Sequence, residues 1–82
     1  MNTGLLEAAA TVTLVISQTR NIGDLTSIIE DTSAIASRLA DLIAILQAVG
    51  GETDEAQENL SVMLDVIKLA SNRIVELKAP LN

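Results

Sequence analysis

The sequence predicts an all-α fold: an antiparallel helical hairpin of two long heptad-patterned helices plus a shorter N-terminal helix, forming a three-helix bundle or part of an oligomeric helical bundle. Three observations carry that expectation. Within residues 25–49, Leu25, Ile28, Thr32, Ile35, Leu39, Leu42, Leu46 and Val49 follow each other at alternating steps of three and four, and Ile29, Ala36 and Ile43 widen the stripe. Residues 54–79 repeat the pattern with Ala56, Leu60, Met63, Ile67, Ala70, Ile74 and Leu77, with Leu64 beside it. A spacing of roughly 3.5 residues keeps one side of a helix apolar along its length and leaves it needing another helix for cover. Gly50-Gly51 separates the two stripes, and a connection of about four residues between helices of nearly equal length forces them antiparallel.

In chain order, residues 1–4 form a short polar lead in which Thr3 is a candidate N-cap for a helix over about residues 5–20. That segment places Leu5, Ala8, Ala9, Val12, Val15, Ile16 and Thr19 on one side. Its β-branched Val12, Thr13 and Val15 lower helix propensity and make residues 11–17 legible as a strand too. Helix is the expectation, because a lone strand would find no strand to pair with. Asn21-Ile22-Gly23-Asp24 is punctuation: Gly23 suits a left-handed helix end and Asp24 a cap, with Ser27 and Glu30 as an alternative capping box. The heptad phase slips at the same place. Leu5, Val12 and Thr19 would be followed by residue 26, yet the next stripe starts on Leu25, so a bend or break is expected there, with a continuous helix through Gly23 as the alternative. The second helix spans about 25–49 and stops at a glycine. Asp54 with Gln57 reads as a capping box opening a third helix to about 79, where Pro80 forbids continuation. Residues 1–82 form a single helical domain without internal repeat or linker.

Composition removes several classes of function. Without cysteine there is no disulfide, thiolate ligand or redox centre, and without histidine the usual zinc sets and the neutral-pH proton shuttle are missing. With no aromatic side chain the protein owns no flat π face on which to stack bases, sugars or cationic ligands. Eleven acids against five bases, a net charge of −6, oppose approach to nucleic acid and to anionic lipid. Residues 8–19 carry no charge but are too few to cross a bilayer, and no basic stretch precedes them to make a signal peptide. A location in the cytoplasm or in a virion is therefore expected.

A nucleophile needs a base within hydrogen-bond reach and a cleft that excludes water, and aliphatic helices offer neither. No enzyme activity is expected, and no residue is assigned to catalysis, cofactor binding or a metal. Glu52, Asp54, Glu55 and Glu58 do not match the ligand spacing of a twelve-residue calcium loop. They sit at an expected helix N-terminus, where the helix dipole favours negative charge, while Lys68, Arg73 and Lys78 fall toward the end that favours cations. Thr32, polar within its seam, is expected to satisfy its hydroxyl on the carbonyl one turn back.

What remains is an apolar surplus: 49% of the residues are hydrophobic and mean hydropathy is +0.42, more than so short a chain can hide unaided. Two features locate it. Val62, Val66 and Leu69 form a second stripe on the third helix, at i, i+4 and i+7, on a side the hairpin seam cannot cover. Either the first helix or another copy of the chain must bury it. Ala36, Ala40, Ala44 and Ala48 form a ridge of small residues that would let two helix backbones approach closely, though alanine's helix propensity at solvent-facing positions is the favoured account of them. These seven residues are the candidate interface. The expected function is that of a non-enzymatic structural or assembly protein. It self-associates, or docks on a larger complex, through aliphatic helix faces, as a small accessory or virion subunit does. The alternative is a reversible protein-binding module or regulator that accepts a partner's amphipathic helix. In both, the partner is protein, foremost a homo-oligomer or larger assembly, with no cofactor, nucleic acid or membrane.

Overall fold

The computed structural model describes residues 3–79, apart from the side chains of Thr3, Leu5 and Leu6. The stop assigned to Pro80 and the place given to Leu5 on a helix face lie outside the described residues. Three helices follow in order: α1 (Thr3–Gln18), α2 (Ile22–Ala48) and α3 (Asp54–Lys78). The fold is all-α, with α2 and α3 packed along their length and α1 packed on α3.

Residues 11–17 are helical, and local bonding helps explain how α1 tolerates them. Thr11 Oγ1 donates to the Glu7 carbonyl at 3.1 Å and Thr13 Oγ1 to that of Ala9 at 2.7 Å, so each hydroxyl is satisfied within its own helix. Thr26 does the same onto Ile22 at 2.9 Å, whereas Thr32, for which the sequence predicts this bond, lines a groove beside α1. With no acid in its first turn and no base in its last, α1 leaves its dipole uncompensated, and its stability has to come from packing.

The break between α1 and α2 falls earlier than Gly23. Asn21 is the N-cap, with φ −92° and ψ 106°, and its Oδ1 accepts the Asp24 N–H at 3.2 Å. Because the asparagine side chain reaches that amide, the helix starts at Ile22. Gly23 is helical, Asp24 receives the cap instead of providing it, and Ser27 and Glu30 lie inside the helix. The left-handed glycine is Gly50, at φ 72°. There the Gly51 N–H reaches the Leu46 carbonyl at 2.7 Å and the Gly50 N–H reaches that of Gln47 at 3.2 Å, the paired bonds of a Schellman ending.

The cap of α3 is also one residue earlier than expected. Thr53 is the N-cap, with Gln57 Nε2 donating to Thr53 Oγ1 at 3.0 Å, and this shift puts both Asp54 and Glu55 into the first turn, at the positive end of the dipole. Lys78 occupies the last turn, and Ala79 turns extended at φ −63° and ψ 136°, the conformation imposed on a residue that precedes proline.

Against α3, α2 runs antiparallel and α1 runs parallel. Ala9 and Val12 line one groove with Val62, Met63 and Val66, and further along Thr13 and Ile16 line another with Leu69 and Arg73. The seam expected on α3 is the seam observed: Ala70 is fully buried, and Ala56, Leu60, Met63, Ile67, Ile74 and Leu77 are half-buried. On α2 the contact line is rotated. Its deepest residues are Leu25, Ala36 and Ile43, while Ile35, Leu42 and Val49, placed in the seam by their spacing, stay exposed at 49%, 46% and 74%. Hydrophobicity points toward the largest side chains, but two helices approach most closely where one presents a small side chain. Ala36 is the small buried side chain on this line, at 6% exposure.

Candidate protein interface

The hairpin has two open faces, and α1 lies on one of them. Ile16 of α1, Leu25 of α2 and Val66 and Ala70 of α3 form the buried centre, with Ala9, Val12, Ile28 and Ile74 packed around it. The second stripe of α3 is thus divided by its own chain. Val66 is buried beneath α1. Val62 is half-buried in a groove of about 180 Å³ that it shares with Ala8, Ala9, Val12 and Ile35. Leu69 borders the next groove and remains 41% exposed.

Cover by α1 is also incomplete in length. Its 16 residues span about 24 Å, against about 37 Å for the 25 of α3. By the offset of 54 residues that pairs Thr19 with Arg73, α1 starts within about one turn of the start of α3, so most of the unmatched length is the last turns of α3; at the hairpin turn, Ile45 and Val49 are 60% and 74% exposed. The described chain is accordingly a rod, 54 Å long and 22 by 18 Å across.

The face opposite α1 carries an open groove of about 360 Å³. Ser33, Ala36, Ser37 and Ala40 line it from α2, and Leu60, Leu64 and Ile67 from α3. Of the alanine ridge, Ala36 is buried at the base of this groove, Ala40 is exposed on its wall, and Ala44 and Ala48 continue the exposed line toward the tip. Leu64, the residue beside the α3 seam, is 53% exposed. Small side chains thus form one wall and large ones the other. By helical spacing, Glu30, three before Ser33, and Asp41, four after Ser37, fall on the α2 rim of this groove, and Lys68, four after Leu64, falls on the α3 rim; all three are exposed, as are Arg38 and Asp65 further round each helix.

One structural residue is not visible in the sequence. Arg73 Nε donates to the Thr19 carbonyl at 3.1 Å, tying α3 to the α1–α2 corner, and its guanidinium also lies 3.6 Å from Glu76. Its charge suggests only a favourable position on the helix dipole, and no local signal links it to a carbonyl 54 residues away. Replacing Arg73 with Met should keep the aliphatic packing and remove the bond. Stability in urea should fall by about 1–2 kcal/mol, the range for a charged donor at a partly exposed site. An unchanged midpoint would mean water replaces the guanidinium without cost.

Among the described residues no group of acidic side chains is gathered closely enough to hold a metal ion, and no helix is long and apolar enough to cross a membrane. No family model matches the chain, and no curated protein or solved structure is found to be similar to it.

Proposed function

We propose that the chain is a non-enzymatic assembly protein whose copies associate with one another, or dock on a larger complex, through aliphatic helix faces. The observation that supports this is the apolar surface left after folding, which is spread over all three helices: Leu14 on α1 is 57% exposed, Ile45 on α2 60% and Val75 on α3 67%. A helix apolar around most of its circumference is suited to cover on several sides, and here the chain covers one side of each outer helix. With no aromatic, histidine or cysteine, recognition must run through shape, aliphatic contact and rim charge.

Size-exclusion chromatography with light scattering over a dilution series tests the reading. Detection must use the peptide bond, since the chain has neither Trp nor Tyr. The expected mass is a multiple of 8.6 kDa that decreases only on strong dilution. A mass of 8.6 kDa at every concentration overturns self-association. The open groove favours a second reading, a monomeric module that accepts a partner's helix. A monomer that binds a hydrophobic dye would support it.

A further inference from the structure

Resting on the assembly reading, we propose that the open groove between α2 and α3 is filled by the same groove of a second copy, the two hairpins stacked face to face about a twofold axis parallel to the helices. Such an axis lays α2 of each copy over α3 of the other. Ala36 and Ala40 of one copy then meet Leu60, Leu64 and Ile67 of the other, so large side chains enter the notches left by small ones. Turning the second copy end over end would instead set α2 on α2 and α3 on α3, alanine against alanine and leucine against leucine.

Charge selects between the two stackings. Because the hairpin is antiparallel, Ser33 and Ile67 stand at the same end of the groove. Beyond that end, Glu30 lies about one turn past Ser33 on α2, and Lys68 directly follows Ile67 on α3. Both are exposed, and neither forms an ion pair among the described residues. The parallel axis keeps like ends together, which brings Glu30 of each copy beside Lys68 of the other, two opposite-charge pairs per dimer. The end-over-end arrangement brings Glu30 toward Asp41 of the other copy, a like-charge contact made twice. The parallel axis also gathers the tip acids of the two copies at one end, where they face solvent and salt screens them over a Debye length of about 8 Å.

The test is a charge-reversal series read as the dimer dissociation constant by sedimentation equilibrium, using the full chain. Lys68→Glu and Glu30→Lys are each expected to weaken the dimer about tenfold or more, since each turns two attractions into two repulsions. The double variant should return to within about threefold of the parent. Ala40→Glu, which places a carboxylate in the notch, should give a monomer whose far-UV circular dichroism stays helical. A multimer that ignores both single reversals, or whose double variant is not rescued, overturns the groove pairing and leaves self-association standing. A parent chain that is monomeric at every concentration removes both. The reversals lie at exposed positions, so the charge series decides the matter however Ala40→Glu folds.

Discussion

Leu25→Ala is expected to unfold much of the population at room temperature. Leu25 is the largest fully buried side chain, at 0% exposure, and it joins Ile16, Val66 and Ala70 where all three helices meet. Truncating such a leucine costs about 2–5 kcal/mol, the transfer term plus the cavity that rigid neighbours cannot close. A domain of this size holds only about 3–5 kcal/mol in its own core, so one substitution can consume it. Urea denaturation followed by far-UV circular dichroism is the measurement, at matched protein concentration because association stabilises by mass action. Leu42→Ala is the comparison. It removes a side chain of the same size from a residue 46% exposed and should cost about 1 kcal/mol or less. Equal losses for the two leucines would contradict the rotated contact line of α2.

Val66→Asp should be similarly severe, for a different reason. Val66 is 7% exposed beneath α1, among Ile16, Leu25 and Ala70, and offers a carboxylate no partner there. An unpaired charge at such a site costs several kcal/mol or drives the chain open. Loss of helical signal is the expected result. Val62→Asp, half-buried beside a groove into which a carboxylate can turn, should remain folded with a loss of about 1–2 kcal/mol. If Val66→Asp instead gave a folded chain in which only α1 became sensitive to protease, the hairpin would be self-sufficient and α1 an accessory to it.

Much of the architecture is legible from local signals. Heptad spacing identifies both long helices, Gly50-Gly51 marks the turn between them, and the α3 seam from Ala56 to Leu77 appears where the spacing puts it. These features depend on residues within a turn or two of each other, and backbone preferences and apolar periodicity record such relations directly. The caps are less legible. At both Asn21 and Thr53 the sequence offers several polar residues in a row; the Asn21 oxygen reaches a backbone amide and Thr53 makes no such bond, because the outcome depends on where the chain enters the helix.

The candidate interface is legible in part. The alanine ridge and the second stripe of α3 are visible as surplus apolar surface, but spacing does not say what covers them. Val66 is covered by its own α1, whereas Ala40 and Leu64 remain open on the opposite face.

The sequence by itself determined that this chain makes three helices, that the last two form a hairpin, and that more aliphatic surface is present than a hairpin seam can cover. The tertiary structure alone decided the rotation of α2, which buries Ala36 and Ile43 and leaves Ile35 and Leu42 exposed, the parallel placement of α1 on α3, and the tie from Arg73 to the Thr19 carbonyl. The physical reason is that periodicity fixes the direction and width of an apolar stripe on its own helix. Which part of that stripe is buried depends on the size of side chains on a neighbouring helix, and that match exists only once the helices are side by side.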